Sequence, residues 1–324
     1  MKRAVLAVLL LLLATLPLWI GSDYYINIAT QILIWGIFAL ALNVLVGWAG
    51  LVSLGHAGLF GMGCYGAAWL LAAGWGHLPS VLGALFVTIS ISFLFAVLSL
   101  RAVGIAFIMI TLAISQIFWG IAYRWIGLTN GENGIIIPER PELIGIALDA
   151  PTHFYLFTLF FFLIAMITMA VFRSSPFGAS LRGTRDQPRR MTALGYNVWL
   201  IRLLALVYSG LWSGIAGIFF LYYHQFVSPH VLSIATSAEV LLMVISGGSG
   251  TLLGPVVGAA LVVIMKNVAS AYIERWNLVL GAIFVTIVIF MPEGLVPGTS
   301  RLLRWARSAI LRRDVRGGES QVQP

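Results

Sequence analysis

Charge is what this sequence has least of. Of its 324 residues only 9% are Asp, Glu, Lys or Arg, while 60% are hydrophobic; soluble domains carry about 25% charged residues. A deficit of that size over this length excludes an ordinary water-solvated fold, because only lipid accommodates helices that are apolar on every side. Cysteine is nearly missing as well. Cys64 stands alone, which excludes an intramolecular disulfide and a cysteine metal cluster. Its apolar, glycine-rich surroundings mark it as a small buried side chain. No phosphate loop of the G-x-x-x-x-G-K-S/T type occurs, and neither does His-Glu-x-x-His or Gly-x-Ser-x-Gly. The sequence therefore offers no nucleotide site, no metal site and no nucleophile elbow, and it reads as a non-enzyme.

What is present is a series of apolar runs, many approaching the ~20 residues that cross a bilayer. They span residues 4–20, 24–46, 52–74, 79–100, 104–125, 153–172, 199–222, 237–247, 251–272 and 277–291. The first follows Lys2 and Arg3 and resembles a signal peptide, but 19–23 is a poor cleavage site, so an uncleaved helix is expected. The net charge of +8 belongs to topology and not to nucleic-acid binding. Basic residues cluster at the N-terminus, around 173–202 and after 300, whereas 126–152 holds Glu132, Glu139, Glu142 and Asp149 against Arg140 alone. The positive-inside rule makes the basic clusters cytoplasmic and 126–152 external. Parity then asks for about ten crossings with both termini inside, a 5+5 arrangement compatible with an inverted repeat. The fold class is thus all-α and polytopic, with a transmembrane domain over 1–300 and a basic cytoplasmic tail over 301–324. Leu302, Leu303, Trp305, Ala306, Ala309 and Ile310 of that tail share one broad helical face suited to the membrane surface.

Two of the runs are interrupted by glycine. Between 47 and 63 lie Gly47, Gly50, Gly55, Gly58, Gly61 and Gly63, together with Ser53 and His56. Each glycine costs up to about 1 kcal/mol in a helix relative to alanine, and irregular backbone at membrane depth survives only inside protein or beside a cavity. Ser53 and His56 fit either a broken helix at a pathway or a satisfied internal packing site. As a catalytic pair they are poorly placed, one turn apart. The second interruption carries Gly247, Gly248, Gly250 and Gly254-Pro255, with a Gly254/Gly258 small-residue face and Glu239 shortly before it. An acid in an interrupted membrane helix is a candidate for function, although a helix-start acid favoured by the dipole reads equally well. Residues 173–198 form a polar, basic loop that nonetheless carries Leu181, Met191 and Leu194, a set expected to form a short apolar helical face with Gly195 as its stop.

Together these stretches resemble the LivM-type permeases of branched-chain amino acid ABC importers. The resemblance is carried by Leu42-Asn43 through His56-Ala57, by Ser175-Pro176-Phe177-Gly178, Arg185-Asp186 and Ala193-Leu194-Gly195, by Gly247-Gly248-x-Gly250-Thr251-x-x-Gly254-Pro255, and by Met291-Pro292-Glu293-Gly294-Leu295. It covers roughly 25–298. Thr129-Asn130-Gly131 looks like an external turn of the family with Asn130 in place of a glycine, and 187–192 replaces an acidic, alanine-rich stretch with Gln-Pro-Arg-Arg-Met-Thr. The resemblance implies an inner-membrane pump made with a second permease subunit, two cytoplasmic ATPases that hydrolyse the ATP, and an external solute-binding protein, with no cofactor on this chain. It implies a translocation pathway near Asn43, Gly47, Gly50, Ser53, Gly55, His56, Gly58, Glu239, Gly247, Gly248, Gly250 and Pro255. It also implies a coupling helix containing Arg182, Arg185, Asp186, Met191, Leu194 and Gly195. Cargo within this class ranges from branched-chain and other amino acids to amides and urea. A channel or secondary transporter would have no use for such a coupling loop.

Overall fold

The centre of the molecule is the helix that carries the first glycine interruption. In the computed structural model, which describes Thr15, Pro17 and residues 21–137, 140–143, 146–272, 276–291 and 293–298, the fold is all-helical apart from two short antiparallel strand pairings. The expected first helix over 4–20 (except Thr15 and Pro17), Glu139 and the tail helix after 300 lie outside the described residues. The elements are α1 (Asp23–Asn43, extended by a π-helical turn Val44–Ala49), α2 (His56–Ala72), α3 (His77–Ser99), α4 (Ile105–Arg124), α5 (Pro151–Ser174), α6 (Pro176–Asp186), α7 (Pro188–Ala193), α8 (Val198–His224), α9 (Ile234–Gly247), α10 (Gly254–Tyr272) and α11 (Trp276–Phe290).

Five of the described helices are long and apolar enough to cross a membrane: α1 with its π turn, α3, α4, α5 and α8. The expectation of ten comparable spans is met only in this coarser form. The interrupted runs give shorter helices, such as the 14 residues of α9, because their chains leave helical geometry inside the bundle. Burial sorts the long helices. The apolar stretch of α1 is 83% buried and that of α8 67%, against 28% for α3 and 22% for α4. Leu82, Phe86 and Phe93 of α3 and Ile105, Met109 and Ile117 of α4 point outward, the surface that lipid or a neighbouring subunit would solvate.

Small residues set the spacing around this centre. Gly63 and Gly214 let α2 and α8 touch backbone to backbone, since a Cβ on Gly63 would lie 2.3 Å from the Gly214 carbonyl oxygen. Gly217 receives the Phe60 carbonyl in the same way, and the Cys64 thiol donates to the Gly217 carbonyl at 3.0 Å, so Cys64 is buried as its surroundings suggest. Without a hydrophobic force between helices in lipid, such close approach is a main source of cohesion. Aromatic rings fill the gap between α1, α2 and α8: Phe38 stacks on Phe60 at 4.5 Å, and Phe60 meets Phe220 edge-on at 5.4 Å.

The connection between α4 and α5 is tied down at the end of the bundle away from the glycine interruptions. Ile135–Ile136 pairs antiparallel with Phe226–Val227, and Glu142–Leu143 with Ile146–Ala147. Arg140 donates to the Tyr222 and Tyr223 carbonyls at 3.0 Å each and lies 4.7 Å above the Phe154 ring. It thereby caps the C-terminal carbonyls of α8, where a cation is favoured by the helix dipole. Asn130, which stands where a glycine was expected, adopts φ 61°. Asparagine is the residue that best tolerates this left-handed geometry after glycine, so the substitution preserves the turn.

The packing of α9 on α10 is the tightest of these contacts, with a Cβ on Gly258 falling 1.8 Å from the Met243 carbonyl oxygen. Gly258→Ala is predicted to lower the unfolding midpoint of the purified protein by several degrees, from about 1–3 kcal/mol of overpacking. Gly120→Ala, inside α4 and meeting nothing within 4 Å, is the control and should leave the midpoint unchanged or raise it slightly, since alanine favours a helix over glycine by up to about 1 kcal/mol.

Candidate functional site

The first interruption begins where α1 widens into its π turn. Gly50, at φ 69°, ends that turn, and residues 50–55 run without helix until α2 starts at His56. The backbone donors released here are met from several directions. Leu54 N–H donates to Thr111 Oγ1 at 3.3 Å, Gly55 N–H to Ser53 Oγ at 3.3 Å, and Ala57 N–H to Ser237 Oγ at 3.1 Å. His56 is wholly buried and spans the break, with Nδ1 3.0 Å from Ser53 Oγ and Nε2 2.8 Å from Ser209 Oγ. Ser209 spends its own proton on the Ala41 carbonyl at 2.5 Å. It must therefore accept from Nε2–H, which leaves Nδ1 to accept from Ser53, so the network assigns the neutral Nε2–H tautomer.

The second interruption is locked onto the first. Asn43 bridges them with its side-chain amide: Nδ2 donates to the Thr251 carbonyl at 2.8 Å, and Oδ1 accepts from Gly250 N–H at 2.8 Å. Trp48 Nε1 donates to the Gly250 carbonyl at 3.1 Å. Gly47 has no room for a side chain, because a Cβ there would sit 2.4 Å from Gly250 N. Gly248 and Gly250 take φ 116° and 81°, and Gly294 packs onto Gly248 from beyond α11. Pro255 opens α10 as its second residue, where a missing amide proton costs nothing; it starts a helix here and does not kink one.

The basic loop reaches this lock directly. The Arg185 guanidinium donates to the Gly47 carbonyl, and its aliphatic stem lies over Gly50. Arg182 donates to the Arg173 carbonyl at 2.7 Å and Arg202 to the Thr184 carbonyl at 2.9 Å. Three arginines thus cap the C-terminal ends of α1, α5 and α6, the ends at which the dipole favours cations. Ser175 accepts from Gly178 N–H at 3.1 Å as the N-cap of α6. Gly195 stops the loop at φ 85°, with Tyr196 N–H returning to the Met191 carbonyl at 3.1 Å. Leu181, Met191 and Leu194 do not share one face. Leu181 is buried in the bundle, Met191 folds against Gly183, and Leu194 is 64% exposed. Leu181 belongs to α6 and Met191 to α7, Leu194 is the residue just past the end of α7, and Gln187 lies between the two helices, so one helical periodicity cannot align them. Asp186 is exposed, 3.8 Å from Arg185, a surface pair of little energetic weight.

Glu239 stands apart from the other pathway candidates. It lines a cavity of about 400 Å³ bordered by α1, α2, α8, α9 and α10, whereas Asn43, Gly47, Gly50, Ser53, Gly55, His56, Gly58, Gly247, Gly248, Gly250 and Pro255 do not. Gly58 lies instead against Ser115 and Phe118. Across the cavity Lys266 Nζ meets Glu239 Oε1 at 3.3 Å. Gln31 donates to Tyr223 Oη at 3.0 Å, and Asn267 donates to Gln31 Oε1 at 3.4 Å. Gln31, Lys266 and Asn267 escaped the reading of the sequence. The usable signal was Lys266, a lysine inside the apolar run 251–272, since an ionisable group at membrane depth marks function by default.

Removing the Asn43 bridge should expose its importance. Asn43→Ala leaves Gly250 N–H and the Thr251 carbonyl without their partner, a cost of about 1–3 kcal/mol for each unsatisfied group. Faster proteolysis at 247–254 and a lower unfolding midpoint are the expected outcomes. A variant as resistant and as stable as the native chain would show that the bridge carries no load.

Residues 24–288 match the family described as branched-chain amino acid transport system, permease component. The high-affinity branched-chain amino acid transport system permease protein LivM of Escherichia coli strain K12 is 28% identical over 335 residues, which cover 95% of this chain and 78% of that protein. LivM of Salmonella typhimurium is 28% identical over 330 residues, 94% and 77% of the two chains. The permease protein LivH of Escherichia coli strain K12 is 23% identical over 136 residues, 41% of this chain and 44% of LivH. No solved structure matches the chain significantly. The family match runs from α1 into α11 and takes in both interruptions and the basic loop, and on that ground the chain belongs to the branched-chain amino acid transport permease family.

Proposed function

We propose that this chain, a multi-pass permease component with no catalytic role of its own, forms the translocation pathway of an ATP-driven importer for branched-chain or related amino acids in the bacterial inner membrane. Its partners in this reading are a second, LivH-type permease subunit, two cytoplasmic ATPases and an external solute-binding protein. The chain crosses the membrane about ten times in a 5+5 arrangement, with both termini and residues 173–198 cytoplasmic and 126–152 external. The glycine interruptions and Glu239 border the route of the cargo. The tail over 301–324 stays on the cytoplasmic side.

The observation that carries the mechanism is the Arg185 contact with the Gly47 carbonyl. In this reading an ATPase docks on α6 and α7, where Leu194 and Tyr196 present exposed apolar surface. Motion of the loop then passes through Arg185 to the end of α1. Asn43 and Trp48, hydrogen-bonded to Gly250 and Thr251, carry it on to α9 and α10. One docking event thereby moves both interrupted segments together. The exposed arginines 189 and 190 favour an acidic groove on the ATPase, and salt should weaken that association.

Two experiments test this. Leu194→Asp places a charge in the docking surface without disturbing the buried core. ATP-driven uptake and substrate-stimulated ATP hydrolysis should both fall at least tenfold, while membrane insertion stays normal; unchanged uptake would refute the coupling role. For topology, in a Cys64→Ser background a cysteine replacing Glu132 should react with an impermeant maleimide in intact cells. One replacing Gln187 should react only after permeabilisation. The opposite pattern would reverse the orientation proposed here.

A further inference from the structure

The cavity that Glu239 lines has a composition that the transport of small solutes in general does not require. Its walls separate into two chemistries. On one side Trp35 stacks on Phe60 at 5.9 Å, and Phe220 closes the corner edge-on, 6.1 Å from Trp35 and 5.4 Å from Phe60. Val263 continues this apolar surface. On the other side stand one carboxylate and one ammonium, Glu239 and Lys266, 3.3 Å apart and partly shielded from solvent. The cavity volume of about 400 Å³ falls in the range of small-molecule sites, about 300–1,000 Å³.

We propose that the Glu239–Lys266 pair and the Trp35–Phe60–Phe220 wall form a binding subsite for a zwitterionic aliphatic amino acid in transit. This deepens the transport reading above and rests on it. The argument is one of charge balance. Glu239 and Lys266 neutralise each other across α9 and α10. A ligand with a single charge inserted between them would pair with one and take from the other the counter-charge it holds at 3.3 Å, which is unfavourable where the pair is partly shielded from water. An uncharged amide or urea would separate the pair and replace neither charge. A zwitterion replaces both: its α-ammonium takes the place of Lys266 at Glu239, and its α-carboxylate takes the place of Glu239 at Lys266. The site stays neutral throughout. A branched aliphatic side chain then falls on the aromatic wall, and Gln31, joined to Asn267 and Tyr223, supplies further hydrogen-bonding capacity beside the charged end.

Alkylation protection tests the subsite directly. His230 is exposed to the cavity. His230→Cys, made in a Cys64→Ser background, is assembled into the complete transporter in detergent and treated with a small maleimide. Leucine at millimolar concentration should slow alkylation at least fivefold. Isoamylamine (which lacks the carboxylate), 4-methylvalerate (which lacks the ammonium) and urea should not. Adding Glu239→Gln or Lys266→Met should abolish protection by leucine, while the alkylation rate without leucine reports that the cavity is still formed. Absence of protection by leucine, equal protection by the two single-charge analogues, or undiminished protection in both charge variants would each overturn the subsite. ATP-driven leucine uptake by the native complex, supplied with its binding protein in proteoliposomes, separates the two readings. Uptake without protection refutes only the subsite, and no uptake refutes the transport reading itself.

Discussion

A peptide backbone that leaves helical geometry among apolar side chains must find hydrogen-bond partners there, because no water will supply them. That requirement organises this molecule. Two glycine-rich segments abandon the helix, and beside the local bonds of Ser53 and Thr251 the side chains that satisfy them come from other elements: Asn43 and Trp48 serve the second interruption, while Thr111 and Ser237 serve the first. Each interruption is thus held by another part of the chain. The price of irregular backbone becomes a set of long-range bonds between α1, α4, α9 and the 247–254 segment. Glycine is needed at Gly47 for the same reason, since only a residue without Cβ lets Gly250 come within reach of the Asn43 amide.

The layering follows from where those bonds lie. Helices α1 and α8, which carry Asn43 and Ser209, occupy the interior, and α3 and α4 wrap outside with apolar side chains turned outward while α4 turns Thr111 in to the first interruption. Burial of α1 is therefore not a consequence of greater hydrophobicity. Its sequence differs from that of the outer helices in carrying Asn43 and the closely spaced Gly47 and Gly50 that follow, groups that need protein neighbours.

Much of this was legible beforehand. Glycine spacing and the Ser-Leu-Gly-His stretch marked the interruptions, the arginines marked the loop, and Gly195 marked its end. Three things were hidden, each for a physical reason. The contact between the two interruptions joins residues about two hundred positions apart and leaves no local pattern. The split of Leu181 from Leu194 depends on a change of direction at Gln187, which helical periodicity does not report. Lys266 could have been read from its apolar surroundings, but counting charges by cluster directs attention to loops and away from a lone lysine within a helix. Glu239 was singled out from the sequence as a candidate, and its cavity neighbours Gln31 and Asn267 are unremarkable until α1, α9 and α10 are brought together.

The buried chain through His56 has an electrical consequence. Its members run from the Gly55 amide through Ser53, His56 and Ser209 to the Ala41 carbonyl. Both ends are peptide groups, which neither release nor take up a proton at any ordinary pH. Each hydroxyl and ring nitrogen in between already has its role fixed by the next. A row of polar groups inside a membrane could serve as a wire for protons, but this one is terminated at both ends and polarised in one sense. The same residues that hold the interrupted helix together thus form a row that offers no route for a proton from one end to the other.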